Sequence, residues 1–219
     1  MPRESFAVKS ARTRQVIDGL VAAYPDAHCE LNFSTPLELL IATILSAQCT
    51  DKQVNIVTAD LFRKYRSAKD FALAPALELE QAIRRIGFFR AKARNIKACC
   101  QSLLDQHGGK VPQTMDALTA LAGVGRKTAN VVLGNVFDQN VGVVVDTHVA
   151  RLSARLDFSR STTPEKIEVD LMKLVPQEQW GLFSHLLIWH GRRRCFARSP
   201  DCPHCEVRPL CPTGRHLAP

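Results

Sequence analysis

One five-residue run limits the fold of this 219-residue chain more than any other stretch. Residues 141–145 read VGVVV and are the only segment with strong β-strand character, because β-branched residues favour extended backbone. A lone strand has no neighbour with which to form a sheet. We therefore interpret the run as a buried extended connector, and we predict an all-α fold around it.

Apolar residues recur at helical spacing over most of the remaining chain. In residues 36–48 the apolar stripe includes Gln48, an amide among aliphatic side chains. Residues 50–53, TDKQ, have the pattern of a capping box, and a helix is predicted to follow to about Tyr65. We predict the tail as loop and the other helices at residues 11–24, 36–48, 75–86, 90–107, 114–121, 125–137, 147–156, 164–174 and 179–190.

The chain carries a net charge of +8, and its cations cluster. One run is Arg192–Arg194, and another comprises Arg84, Arg85, Arg90, Lys92, Arg94 and Lys97. A basic protein of this size most often binds nucleic acid, because phosphates are the commonest polyanion. No apolar run approaches about 18 residues and no secretory signal opens the chain, so we expect neither a membrane span nor secretion. The Arg-rich residues 1–15 are predicted to be a solvated leader, with an organelle-targeting segment as the weaker alternative.

Four of the eight cysteines are grouped in residues 195–211, CFARSPDCPHCEVRPLC, with the spacing C-x6-C-x2-C-x5-C. A loop of this length cannot form an apolar core, so we expect a metal to supply the missing folding free energy. Zinc usually takes two C-x2-C pairs, an iron–sulfur cluster accepts less regular spacing, and two disulfides are a third arrangement. The spacing alone does not choose between iron and zinc. The remaining cysteines are predicted to be small buried hydrophobic residues: Cys29, Cys49, Cys99 and Cys100.

A glycine turn in residues 121–133, LAGVGRKTANVVL, is predicted to join a short helix to a longer one. Gly123 and Gly125 leave backbone N–H groups open to a phosphate, although a glycine-capped αα-turn without a ligand has the same pattern. Lys127 follows in the first helical turn, where the helix dipole and Arg126 both disfavour its charge and should lower its pKa. A neutral amine is a nucleophile, so Lys127 is a candidate catalytic residue.

Three further positions have both a structural and a functional interpretation. Asp146 follows the VGVVV run as a helix N-cap, and partial burial would also bring its carboxylate beside Lys127. Gln48 needs hydrogen-bond partners on its apolar stripe, either from the core or from DNA. Phe88 and Phe89 follow a glycine between two helices, and they are either core residues or an apolar wedge that enters between bases.

Four motifs in this order resemble the endonuclease III family of DNA glycosylases, within the helix-hairpin-helix superfamily. In chain order they are ELNFSTPLELLIATILSAQ at residues 30–48, LAGVGRKTANVVL, VDTH at residues 145–148, and the cysteine spacing. The resemblance covers nearly the whole chain. It implies two helical domains flanking a DNA-binding cleft: a continuous one, residues 29–139, with the hairpin, and a discontinuous one, residues 1–28 plus 140–219, with the cluster loop.

The resemblance also implies a role for each matching residue. Lys127 would attack C1′ of a damaged nucleotide, Asp146 would be the catalytic aspartate, and Gln48 would fill the space left by the flipped base. A [4Fe–4S] cluster would be held by Cys195, Cys202, Cys205 and Cys211. The expected DNA contacts are Gln48, Phe88, Phe89, Gly123, Gly125, Arg126, Thr128, His148 and Arg192. Family members usually have proline in place of Ala122, and a leucine and a tyrosine in place of the two phenylalanines.

We therefore expect a base-excision-repair enzyme that removes oxidised pyrimidines and cleaves the abasic site by β-elimination through a lysine Schiff base. Its partner would be double-stranded DNA, and we expect a monomer in the cytoplasm with the nucleoid. Adenine glycosylases share the fold and the cluster but generally lack the lysine. A non-catalytic DNA-binding module and a zinc-stabilised nucleic-acid binder are the remaining alternatives, and the pairing of Lys127 with Asp146 argues against the first.

Overall fold

A computed structural model of the chain describes residues 4–216, and these residues form helices and loops without a strand. Val143, Val144 and Val145 are buried in a connector that is neither helix nor strand, which agrees with the interpretation of the VGVVV run as a buried connector. The helices are α1 (Phe6–Ala23), α2 (Pro36–Ser46), α3 (Asp51–Lys64), α4 (Ala68–Leu73), α5 (Ala76–Ala82), α6 (Phe89–His107), α7 (Met115–Thr119), α8 (Arg126–Val136), α9 (Thr147–Arg155), α10 (Pro164–Leu174), α11 (Trp180–Arg193) and α12 (Pro212–His216).

The chain divides into two compact units. The continuous unit spans Glu30–Gln139, and the split unit joins the segment up to Cys29 to the residues from Asn140 onward. The continuous unit contains α2 to α8, and the split unit contains α1 and α9 to α12.

Helix α2 is the buried centre of the continuous unit. Thr35 caps its N-terminus by accepting a bond from Glu38 N, and Pro36 occupies the first turn, where its missing N–H costs nothing. Seven consecutive residues, 39–45, are buried, so the helix is apolar on all sides. It packs against α3, α6 and α8. Helix α6 in turn packs against α4 and α5.

The split unit has a core formed by α1, α9, α10 and α11, to which the buried valines of the connector contribute. Leu20, Leu152, Leu171 and Leu186 lie at most 1% exposed within it. Cys195, Cys205 and Cys211 pack against the edge of this core. The cysteine loop is therefore attached to an apolar surface and does not stand free.

The N-terminal segment is not a solvated leader from residue 6 onward. Ser5 caps α1, and Arg12 within it is 7% exposed. The Arg12 guanidinium donates to both carboxylate oxygens of Glu4, at 2.9 and 2.8 Å, and to the carbonyl of Leu156 at 2.9 Å. These partners satisfy the charge, which is why a buried arginine is tolerated. Residues 1–3 of the predicted leader lie outside the described residues.

One helix was missed and several helix limits were wrong: α1 begins at Phe6 and not at residue 11, and α5 ends at Ala82 and not at residue 86. Residues 68–73 form α4, which is introduced by a reciprocal capping box between Ser67 and Asp70. Helix α2 ends at Ser46, because Gln48 has a left-handed backbone with φ of 56° and a right-handed helix cannot continue through it. The tail also contains α12, where only loop was predicted.

The isolated cysteines divide into two kinds. Cys99 and Cys100 are fully buried, as predicted, and burial raises the pKa of Cys99 to about 12. Cys29 and Cys49 are only half-buried, so the prediction was wrong for them. No helix in residues 4–216 has the length and apolarity needed to cross a bilayer.

Candidate functional site

The glycine turn joins α7 to α8 with a different geometry at each glycine. Gly123 has φ of 77°, and a Cβ there would lie 3.0 Å from atoms of the Asn95 side chain. Gly125 is the N-cap of α8 with an ordinary φ of −94°, and a Cβ there would meet nothing within 4 Å. Gly123 therefore serves the turn itself. Gly125 leaves open space in front of the first N–H groups of α8.

Lys127 is the second residue of α8, and its side chain is exposed, as is that of Arg126. Thr128 is half-buried, and Ala129 begins the buried face that anchors the helix. The helix therefore holds the amine at its positive end while its opposite face packs in the core. Ala122, where relatives have proline, is half-buried in the turn.

Gln48 lies in the loop after α2 and is exposed. Gln48 is therefore not a buried amide, contrary to the prediction, because the apolar stripe stops at the end of α2. The loop is held by Lys92 of α6, whose Nζ donates to the carbonyls of Leu45 and Ala47 at 2.8 and 2.6 Å. Lys92 was not identified from the sequence as a residue of this site.

Phe88 is 68% exposed and has a left-handed backbone, with φ of 58°, at the N-cap of α6. It is therefore not a core residue. Phe89 is half-buried, with the Arg90 guanidinium 5.3 Å from its ring centre. A Cβ on Gly87 would lie 3.9 Å from the Gln48 carbonyl, so the Phe88 and Gln48 loops adjoin.

The basic run of residues 84–97 contains two kinds of cation. Four arginines are exposed: Arg84, Arg85, Arg90 and Arg94. Lys92 and Lys97 instead point to carbonyls, Lys97 to those of Ala72 and Ala74 at the end of α4. The sequence pattern did not separate these two kinds.

Asp146 is the N-cap of α9 and accepts a bond from Val149 N at 2.8 Å, which confirms its structural interpretation. Its carboxylate is half-buried. Asp146 belongs to the split unit and Lys127 to the continuous unit, so their meeting stays a prediction.

His148 follows in the first turn of α9 and is half-buried. Its Nδ1 lies 3.1 Å from the guanidinium of Arg151. Burial is the main cause that lowers the pKa of His148. Arg192, near the end of α11, is half-buried.

Cys195, Cys202, Cys205 and Cys211 are free thiols that line one pocket. The two-disulfide arrangement is therefore absent. Around a single zinc ion, with bonds of about 2.3 Å, sulfurs lie about 3.8 Å apart. No three of the four sulfurs lie within 4.8 Å of one another in the described part of the chain. Four thiols that are spaced more widely than a single zinc ion requires fit a polynuclear cluster better than one ion.

Arg155 binds the cysteine loop at several points. Its guanidinium donates to Cys195 Sγ at 3.1 Å, to the Phe196 carbonyl at 2.7 Å and to the Ala197 carbonyl at 2.9 Å. Burial raises the pKa of Cys205 to about 11, so the free thiol is neutral at pH 7 and metal binding must displace its proton. Arg155 lies 40 residues before Cys195, and no local pattern marks it.

The Arg192–Arg194 run does not act as one patch. Arg194 pairs with Asp201 at 2.6 Å and with Glu206 at 3.2 Å, both in the cysteine loop. The Arg193 guanidinium lies 3.6 Å from the centre of the Trp189 ring. Arg194 therefore does not offer a free charge to a phosphate, because two loop carboxylates pair with it.

Comparisons with known proteins bear on this arrangement. The family model described as "HhH-GPD superfamily base excision DNA repair protein" matches residues 41–177. Endonuclease III of Synechocystis sp. is 48% identical over 210 residues, or 96% of either chain. Endonuclease III of Escherichia coli K12 is 42% identical over 211 residues, 93% of this chain and 96% of that one. A solved structure, of a trapped endonuclease III–DNA covalent intermediate, matches with a TM-score of 0.90 and 48% identity, covering 94% of this chain and 97% of that one.

These similarities extend over residues of both compact units, so they are not limited to the hairpin. The resemblance found in the sequence motifs is thereby confirmed. Because the family model spans more than half of the chain and identities exceed 40% over nearly all of it, the chain belongs to the endonuclease III family of HhH-GPD base excision DNA repair proteins.

Proposed function

We propose that this chain is a bifunctional DNA glycosylase that removes oxidised pyrimidines from duplex DNA and cuts the resulting abasic site through a Schiff base on Lys127. Membership of the endonuclease III family supports the glycosylase and lyase activities. The observation that carries the role of Lys127 is its place: an exposed amine in the first turn of α8, directly after the glycine turn.

The chemistry begins when the neutral Lys127 amine attacks C1′. The Nζ–C1′ bond forms, the N-glycosidic bond breaks, and the base leaves with a proton. The sugar ring opens to an imine that links lysine to C1′. Loss of a C2′ proton then expels the 3′ phosphate by β-elimination, and water releases the lysine. Asp146 would accept a proton or stabilise positive charge on the sugar, as its carboxylate oxygens allow.

Attack at C1′ requires the damaged nucleotide to leave the duplex. Gln48 would fill the vacated space, and the exposed Phe88 beside it would open the base stack. The N–H groups of the hairpin turn would bind a phosphate without reading sequence. Arg126, Thr128, His148 and Arg192 would add backbone contacts. We propose that the chain acts as a monomer in the cytoplasm, with the nucleoid.

A [4Fe–4S] cluster is proposed in the cysteine loop. The four thiols that line its pocket would be the ligands, and their number and spacing support this assignment. When bound, the cluster would supply folding free energy to a loop that lacks a core of its own.

Borohydride trapping tests the role of Lys127. Borohydride reduces the imine, so the wild-type chain should become covalently attached to a duplex with one oxidised pyrimidine. Lys127→Gln should abolish the adduct, because an amide does not form the imine. The matched control is Lys166→Gln, since Lys166 is also exposed in the first turn of a helix, α10.

Two outcomes would contradict the proposal. An undiminished adduct in Lys127→Gln would assign the nucleophile elsewhere. A wild-type chain that binds the duplex but forms no adduct would indicate a non-catalytic DNA-binding protein.

A further inference from the structure

Lys92 is a buried cation without a role in the mechanism proposed above. Its side chain lies on α6 and the residue is 6% exposed, although lysine is among the residues least often buried. Burial lowers its pKa, against a smaller opposing effect of Cys49. Moving a cation out of water costs folding free energy, so contacts inside the protein must compensate for the burial of Lys92.

Those contacts lie at the C-terminus of α2. Nζ donates to the Leu45 carbonyl at 2.8 Å and to the Ala47 carbonyl at 2.6 Å. The last carbonyls of a helix have no intrahelical donors, and a cation there also complements the helix dipole. Lys92 therefore caps α2 from a different helix, 45 to 47 residues away in sequence.

The capped segment leads directly to Gln48. Ala47 is the C-cap of α2, and Gln48 has a left-handed backbone with φ of 56°. Residues other than glycine persist in that conformation only when their surroundings hold them there. The bonds from Lys92 to the Leu45 and Ala47 carbonyls fix where the chain leaves α2 and thus where the Gln48 side chain begins.

The same face of α6 reaches the hairpin turn. Asn95 lies three residues after Lys92, so the two side chains project from one side of the helix. A Cβ on Gly123 would lie 3.0 Å from Asn95 Cβ, which means that the turn rests directly on this side chain. One helix face therefore contacts both the Gln48 loop and the phosphate-binding turn.

We infer that Lys92 is a positioning residue for the reaction. Its bonds to the Leu45 and Ala47 carbonyls hold Gln48 at a fixed position relative to the hairpin turn. Base flipping and phosphate binding then act on the same nucleotide. Lys92 thus serves DNA recognition from inside the protein and makes no phosphate contact. The inference rests on the proposed role of Gln48.

Single-turnover kinetics with enzyme in excess test this role through coupling to Gln48. Lys92→Met keeps a straight, apolar side chain and removes the donor. It should slow excision of an oxidised pyrimidine by about tenfold or more, because small misplacements of positioning groups have large kinetic effects. Cleavage of a preformed abasic site should slow by a smaller factor, since a nucleotide without a paired base is flipped more easily.

The same substitution in a Gln48→Ala background should change excision by less than about twofold, because residues that act through one another are not additive. Lys97→Met is the matched control. Lys97 also lies on α6 and caps the end of another helix, α4, which carries no proposed site residue. Lys97→Met should lower thermal stability about as much as Lys92→Met does, and it should leave the excision rate unchanged.

Three results would overturn the inference. One is that Lys92→Met slows excision as strongly in the Gln48→Ala background as it does in the wild-type chain. Another is an equal slowing of excision and abasic-site cleavage, as general loss of structure would produce. The third is normal excision by Gln48→Ala alone, which removes the premise. Borohydride trapping on Lys127 is independent of all three, so the proposed function can stand when this inference fails.

Discussion

Gly123 and Gly125 stand two residues apart in the hairpin turn and are glycines for different reasons. At Gly123 the backbone is left-handed and the space for a Cβ is taken by Asn95. At Gly125 the backbone is ordinary and the space is open. The first glycine therefore serves the fold, and the second leaves room for a ligand that approaches the N-terminus of α8.

Alanine at each position should separate these roles. Gly123→Ala should lower the free energy of unfolding by about 1–2 kcal/mol, from the left-handed backbone and the contact with Asn95. Gly125→Ala should cost less than about 1 kcal/mol, as at other N-caps, and should weaken DNA binding because its methyl group occupies the open space. Denaturant unfolding and fluorescence anisotropy with a duplex measure the two quantities.

Gly134→Ala provides the control within α8. A Cβ at Gly134 meets nothing within 4 Å, so alanine should leave DNA binding unchanged and raise helix stability by up to about 1 kcal/mol. Equal losses of DNA affinity at Gly123 and Gly125, with unchanged stability at both, would refute the distinction.

At the scale of single helices, local sequence patterns predicted some limits and did not predict others. Helix α10 was predicted with its observed limits, residues 164–174, because a proline in its first turn marks its start and its apolar spacing is regular. Helix α4 was missed, although Ser67 and Asp70 form a capping box that was visible in the sequence. The end of α2 had no such local signal; there Lys92 of another helix donates to the Leu45 carbonyl.

The cysteine loop is the element that depends most on a ligand. Cys202→Ala should remove bound iron and the visible absorbance, and should lower the thermal midpoint of the split unit, because ligation contributes folding free energy. Cys29→Ala, in the same unit but outside the pocket, should retain both. Metal analysis and a thermal melt measure these effects. Full iron content in Cys202→Ala would contradict the ligand assignment, and zinc in place of iron in the wild-type chain would contradict the cluster.

At the scale of the whole molecule, the N-terminal segment belongs to the split unit with the C-terminal residues. Arg12 makes part of this connection. It binds Glu4, the Leu156 carbonyl at the end of α9, and the Leu210 carbonyl in the cysteine loop at 3.1 Å. One buried guanidinium thus joins three segments that are far apart in sequence.

Arg12→Met should lower the free energy of unfolding of the split unit by about 3 kcal/mol, the low end for a broken buried pair because Glu4 is partly exposed. The bond from Arg12 lowers the pKa of Glu4, so the contribution of the pair is present above the unfolded pKa of glutamate, about 4.3, and is lost as the pH falls further. Thermal melts from pH 3 to pH 7 should show this loss in the wild-type chain and not in Arg12→Met.

Arg14→Met is the control, since Arg14 lies on the exposed side of α1 and should change stability by less than about 0.5 kcal/mol. An equally small effect of Arg12→Met would show that the N-terminal segment does not depend on this connection.

The sequence by itself determined the helical class, most helix limits and the family, because spacing, caps and short motifs depend on residues close together in the chain. Only the tertiary structure decided which cations face solvent and which bind carbonyls, that Arg194 pairs with the cysteine loop, and that Gln48 leaves its helix in a left-handed backbone. Each of these depends on a partner from another element, such as Lys92 for the Gln48 loop. Charge and periodicity do not encode such partners, since a buried lysine and an exposed one have the same local pattern.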